Sequence, residues 1–252
     1  MRKLSGSVRA AIIVGLIAAL LIGATIFLVN NNNTIVERYH QSAFVITEAE
    51  KINGYIADHV RGKKDAPVII YEYADYQCEY CALMNPYVEE FIEESDGKLA
   101  VVYRNYILSY HQNGTAAASA AEAAGLQGYW QEYANKLFEK QEEWYSASAN
   151  ERTALFDKYL LIVSDNKADV DKFNSNLSSP DISQKLTFDM KIGKFLEIPG
   201  TPSFYIDGQY INWGNKDGGS LVINGETIEW DHKLSIDEFS DLIKQIIEIK
   251  TK

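Results

Sequence analysis

Two cysteines lie three positions apart in this 252-residue chain, in Cys78-Glu79-Tyr80-Cys81, and it holds no others. That spacing puts two sulfurs within bonding reach of each other. A purely structural bridge over so short a loop would restrain the unfolded chain little. A structural zinc site wants four ligands, and the remaining candidates are four scattered histidines, His40, His59, His111 and His232. Reversible oxidation and reduction is the chemistry the pair serves best. Its flanks agree. Val68, Ile69, Ile70, Tyr71 and Tyr73 read as a buried strand. The chain then breaks through residues 74–77, and Cys81, Met84, Val88, Phe91 and Ile92 recur at helical spacing. Cys78 therefore falls at a helix start, where unpaired N–H groups and the positive end of the helix dipole favour a thiolate. Cys81, one turn deeper, is placed to resolve a mixed disulfide.

The elements that must position this pair follow in order. Leu99 to Leu108 reads as the next strand, giving a parallel β-α-β unit with a right-handed crossover. From about residue 114 to 196 the composition turns helical. Ala116 to Ala124 is alanine-rich, and Tyr129, Trp130, Tyr133, Leu137 and Phe138 share a helical face within 127–145. Asn150 is the expected N-cap of a following helix, and Ser179-Pro180 opens another with proline at its first position. The aromatic residues here read as packing, not as a cofactor box. Ser203 to Ile206 is a short strand turned by Asp207-Gly208. Leu221 to Trp230 is a hairpin about Asn224-Gly225, and Ser235 with Glu238 caps a final amphipathic helix.

The segment EYADYQCEYC, Pro86 five residues after Cys81, and the later Gly200-Thr201-Pro202-Ser203-Phe204 together resemble a DsbA-type member of the thioredoxin superfamily, particularly its membrane-anchored bacterial branch. The resemblance runs from about Asp58 to the C-terminus. It implies an α/β, thioredoxin-like fold with a helical insertion, about 114–196, between a β-α-β half and a C-terminal β-β-α half. It also implies a cis Thr201-Pro202 bond, with the Thr201 backbone pairing with substrate beside the cysteines. Glu72 is either an outward-facing strand residue or, as the family implies, a buried acid that accepts the proton of Cys81; burial would raise its pKa. Pro86 should kink the first helix.

Charge and hydropathy bound the rest. Residues 1–9 carry Arg2, Lys3 and Arg9 and no acid; residues 10–29 are uncharged and mostly apolar. Twenty such residues suit a hydrocarbon core of about 30 Å and exceed a signal-peptide h-region of about 7–15. The expectation is an uncleaved transmembrane anchor with its basic flank in the cytoplasm and the rest of the chain outside, where disulfides persist. No cysteine lies near it, which excludes a lipoprotein. Residues 30–61 then serve as a tether and N-terminal extension, in which Ile35, Val36, Phe44, Val45 and Ile46 suggest a strand and turn, and 62–252 form the catalytic domain. Beyond Val29 the chain keeps 21 of its 24 basic and all 35 acidic side chains, a balance of −14, which argues against nucleic acid or anionic lipid as partner.

These readings converge on a membrane-tethered oxidase that puts disulfides into exported cysteine-containing polypeptides. It uses no cofactor beyond the Cys78–Cys81 disulfide, and the resemblance implies a membrane quinone-linked reoxidase as partner. The alternatives are an isomerase or reductase of the same fold, or a tethered polypeptide-binding module without redox activity. One departure from the family bears on tuning. Strongly oxidising relatives carry Pro-His between the cysteines, whereas this chain has Glu79-Tyr80. A carboxylate beside Cys78 should raise its pKa above the ~3.5 of DsbA, toward the ~7 of thioredoxin, while the Tyr80 hydroxyl offers at most one hydrogen bond.

Overall fold

The structure, a computed structural model, describes residues 36–252. The chain divides into a unit ending at Gln41, described and helical over residues 36–41, and a unit of Ser42–Lys252. The anchor expected at residues 10–29 lies outside the described residues. Among those described, no helix is long and apolar enough to cross a membrane.

Five strands form the main sheet of the larger unit, in the order β1-β3-β2-β4-β5. β1 (His59–Gly62) is an edge strand antiparallel to β3 (Leu99–Asn105), and β3 runs parallel to β2 (Val68–Ala74). β2 and β3 are central, and every side chain in them except Ile69 is buried. Covered on both faces, such strands read as near-continuous apolar runs, which is why they were plain in the sequence. Between them lies α1 (Glu79–Glu94), which carries Pro86 and buries Cys81, Met84, Asn85, Val88 and Phe91.

The helical insertion follows β3 as α2 (Gly114–Gly125), α3 (Trp130–Glu139), α4 (Gln141–Trp144), α5 (Ala149–Val163), α6 (Val170–Asn176) and α7 (Pro180–Phe195). The single helix suggested by the aromatic spacing within 127–145 is two, broken at Lys140. The cap of α5 is Ser148, whose capping box with Glu151 places Asn150 inside the helix. Ser179 caps α7 as expected, accepting from the Ile182 N–H.

The chain then returns to the sheet in β4 (Ser203–Ile206), antiparallel to β2, and β5 (Gln209–Tyr210), a two-residue strand too short to show in the sequence. β6 (Gly219–Ile223) and β7 (Glu226–Trp230) pair about Asn224-Gly225, both at positive φ, in a separate two-stranded sheet. α8 (Ile236–Thr251) closes the chain with the Ser235–Glu238 capping box. Two apolar clusters result. One joins α1 and α8 to Val68, Ile70, Phe204 and Ile206; the other packs the insertion against Ala74, Tyr76, Tyr103 and the two cysteines.

The N-terminal extension differs from the expectation. Residues 43–50 form turn and loop instead of a strand, because their carbonyls are taken by a side chain. The Arg104 guanidinium donates to the carbonyls of Ala43 and Val45, each at 2.9 Å, and to Asp58 at 2.7 Å. The compact unit thus begins at Ser42, upstream of the boundary placed at Gly62. Asp58 and Arg104 belong to a sealed charge network with Lys185 and Asp189 of α7: Lys185 lies 3.0 Å from Asp58 and 2.8 Å from Asp189, all four side chains 0% exposed. Asp189 also accepts from Asn105, and Asn105 donates to Glu122, which meets His59 at 2.7 Å. This network joins the extension, the sheet and the insertion.

Candidate active site

Cys78 is the N-cap of α1, with an extended backbone (φ −78°, ψ 121°) and no side-chain capping bond. The turn before it is set by Asp75. Its Oδ1 accepts from the Gln77 N–H at 2.9 Å and its carbonyl from the Cys78 N–H at 3.0 Å. Its Oδ2 accepts from the Leu108 N–H at 2.8 Å and meets His111 Nδ1 at 2.7 Å. An aspartate that bonds the backbone two residues on makes a local turn of this kind. The strand ends and the helix begins there because Asp75 turns the chain.

Both cysteines are free thiols in this structure, and their surroundings push them in opposite directions. Cys78 is 5% exposed, Cys81 fully buried. The Cys78 thiol is lowered to about 6, first by the hydrogen bond that the Cys81 thiol offers its anion, and against the effect of burial. The Thr201 hydroxyl and the N–H groups of Cys81 and Tyr80 lower it further. That hydroxyl is buried and has no hydrogen-bond partner among the described residues, so the anion would supply one. Cys81 is pushed well up, chiefly by burial, then by Cys78 itself, with Glu72 adding to the effect. Two titratable groups driven apart in this way have distinct roles. Cys78 is the thiol that ionises first, and Cys81 holds its proton more tightly.

Thr201 and Pro202 stand against Cys78, and the peptide bond between them is cis. The Cys78 thiol donates to the Thr201 carbonyl at 3.2 Å, so two motifs separated by 123 residues meet at one sulfur. Beside them a groove of about 500 Å³ is lined by Tyr80, Pro199, Thr201, Pro202, Tyr210 and Trp213 among others. The Tyr80 side chain is 63% exposed there; its effect on Cys78 comes through its N–H and not its hydroxyl. Glu79 is exposed and is not among the largest influences on the Cys78 thiol.

Glu72 faces inward: it is 1% exposed, paired in register with Tyr103 on β3 and Phe204 on β4. The outward-facing alternative is thereby excluded. Burial raises its carboxyl, Arg61 opposes that and Glu89 adds to it, and Glu72 Oε2 has no hydrogen-bond partner among the described residues. Arg61, itself fully buried on β1, donates to Asn85 at 2.9 Å and lies 3.3 Å from Glu89.

Three amide side chains around the cysteines escape the sequence reading. Gln77 accepts from the Asn113 N–H at 2.6 Å and donates to the Tyr145 carbonyl at 2.9 Å. Asn113 in turn donates to the carbonyls of Trp144, Tyr145 and Ala147, each at 3.1 Å. Gln141 donates to the carbonyls of Tyr76 and Cys78. No periodicity marks an amide that bonds backbone 63 residues away, and only the fold could reveal them.

A thioredoxin family model matches residues 55–245. The Na(+)/H(+) antiporter NhaA 1 of Mycolicibacterium vanbaalenii is 30% identical over 170 residues, covering 66% of this chain and 25% of that protein. The chain spans about a quarter of the length of the curated relatives it matches. Among solved structures, oxidised BdbD from Bacillus subtilis is similar at a TM-score of 0.57 and 22% identity, covering 81% of this chain and 98% of that one. Wolbachia pipientis alpha-DsbA1 is similar at 0.56 and 22%, covering 77% and 92%.

Proposed function

The chain belongs to the thioredoxin family, and from that premise we propose that it is a membrane-anchored, extracytoplasmic thiol–disulfide oxidoreductase that oxidises exported cysteine-containing polypeptides. One observation carries the reading: a low-pKa Cys78 touching the Thr201 carbonyl, backed by a buried, high-pKa Cys81. A substrate thiolate attacks Cys78 of the Cys78–Cys81 disulfide; the mixed disulfide forms and Cys81 leaves, taking up a proton. A second substrate thiolate then attacks the substrate sulfur, forming the product disulfide and releasing Cys78 as a thiolate. Its low pKa makes it a good leaving group. The pair is left as a dithiol, with Thr201 and Pro202 holding the substrate strand. Reoxidation by a membrane quinone-linked partner requires the Cys81 proton to leave, and Glu72 is the acceptor.

The anchored topology is supported by Arg2, Lys3 and Arg9 ahead of the uncharged run at 10–29. Protease added to intact cells with a permeable wall should remove the domain, and its protection would sink the exported reading. A Cys78 pKa of about 6 lies nearer the ~7 of thioredoxin than the ~3.5 of DsbA, which favours a reductase as the second reading. The test is oxidative refolding. The oxidised full chain, mixed with reduced, unfolded ribonuclease, should restore nuclease activity, and the Cys78→Ser chain should not. A wild-type protein no faster than glutathione alone would overturn the oxidase, and one that instead reduces the ribonuclease disulfides would establish the second reading.

A further inference from the structure

Gln141 opens α4 and is 7% exposed. A buried primary amide must place its N–H groups on acceptors, and Nε2 places them on two carbonyls of the active-site loop. It donates to Tyr76 at 2.7 Å and to Cys78 at 3.0 Å. The Cys78 carbonyl is also the acceptor of the first helical bond of α1, from the Ala82 N–H at 3.0 Å. Gln141 therefore grips the peptide from which α1 starts. Gln77, between the two gripped residues, is held from the same insertion by Asn113 and the Tyr145 carbonyl.

We propose that Gln141 is a positioning residue for Cys78: by fixing the carbonyls of Tyr76 and Cys78, it holds the first turn of α1 so that the N–H groups of Tyr80 and Cys81 face the sulfur. The inference rests on the thiol–disulfide reading of the site and assigns to the insertion a part in tuning the cysteine, beyond covering it. The physical reason is directional. A hydrogen bond weakens steeply as its angle falls, so N–H groups stabilise an anion only while the turn that aims them is fixed. Without Gln141 the Tyr76 carbonyl loses its side-chain donor and the Cys78 carbonyl keeps one of two. Residues 76–78 can then rotate toward water, and the helix start loses its alignment on Cys78. The amide also brings the positive end of its own dipole close to the Cys78 peptide, which acts in the same direction.

The test is the Cys78 midpoint, read as thiolate absorbance at 240 nm against pH on the reduced full chain. Gln141→Met keeps the length and removes the donors. It should raise the midpoint from about 6 by about one unit, a tenfold loss of thiolate below the midpoint. The factor by which ionisation favours the dithiol at pH 7 then falls from about 11 to about 2, roughly fivefold in the equilibrium with glutathione. Gln141→Glu, an anion facing two carbonyls, should raise the midpoint further. Ile246→Val, a core change on the buried face of α8, should lose stability and leave the midpoint in place. A folded Gln141→Met chain with the wild-type midpoint overturns the inference, as does an equal shift in Ile246→Val. In the wild type, the Gln141 side-chain amide protons should follow the Cys78 titration by NMR, and their indifference to it would also overturn the inference, whether or not a variant folds. A wild-type pair that titrates as described but exchanges no disulfide with glutathione would overturn the oxidoreductase reading alone.

Discussion

Replacing Glu72 by glutamine should stabilise the protein and slow its chemistry. The carboxyl is sealed in β2 with Oε2 unpartnered among the described residues. Burial outweighs the attraction of Arg61, so the folded protein holds this proton more tightly than the unfolded chain, where a glutamate titrates near 4.3. A group whose folded pKa is raised contributes most below its unfolded pKa, and stability is lost as pH rises beyond it. Glutamine, which does not ionise, avoids that loss. The gain at pH 7.5 should be about 1.4 kcal/mol for each unit by which the folded protein raises the carboxyl, and should vanish near pH 4. Urea unfolding of the reduced protein at the two pH values measures it, with an unchanged denaturant slope as the control for compactness. Glutamine cannot accept the Cys81 proton, so oxidation of the dithiol by a small disulfide should slow by about a hundredfold, the lower end of what a positioned base supplies. An equal gain at both pH values, a loss that grows with pH, or an undiminished rate would each refute this reasoning.

Three further outcomes follow from the same geometry. The alkylation rate of Cys78 by iodoacetamide should rise with pH to a plateau with a midpoint near 6. Because the folded pKa is lowered, the associated stability of the dithiol form should be full above the unfolded thiol pKa of ~8.5 and be lost as pH falls through about 6; urea melts across that window check it. Glu79→Gln should move the alkylation midpoint by less than about half a unit, since an exposed charge is screened and this one is not among the main influences on the thiol. Lys185→Met should destabilise the fold by about 3–5 kcal/mol in urea melts, because removing one member of a buried ion network leaves Asp58 and Asp189 without their shared cation.

What the sequence made legible is what local chemistry dictates. The apolar runs of β2 and β3, the Asn224-Gly225 turn and the caps at Ser179 and Ser235 each show in a window of a few residues. The cysteine pair showed through its spacing, and its partner Thr201-Pro202 only through resemblance, because 123 residues of chain separate them. Glu72 stood as a polar residue in an apolar strand, but its inward orientation depended on register with β3 and β4. The N-terminal extension misled because its apolar residues are bound by Arg104 from a distant strand and not by a neighbouring one. A stronger signal went unread in α7, where Lys185 and Asp189 fall on the same face as Ile182, Leu186 and Ile192. Two opposite charges four residues apart on an apolar face mark a buried pair. For Cys78, the backbone N–H groups were legible from its place at a helix start, but the parts of Cys81 and Thr201 were not, and the Glu79 and Tyr80 side chains are not among the largest influences on it.

The two sulfurs divide the labour of exchange, and trapping separates their roles. The full chain carrying Cys81→Ser is mixed with a peptide disulfide, and intact mass and proteolytic mapping locate the adduct. A stable mixed disulfide is expected on Cys78 in that protein and none on Cys81 in the Cys78→Ser chain. An adduct on Cys81 of the Cys78→Ser chain, or none on either protein, would contradict that division.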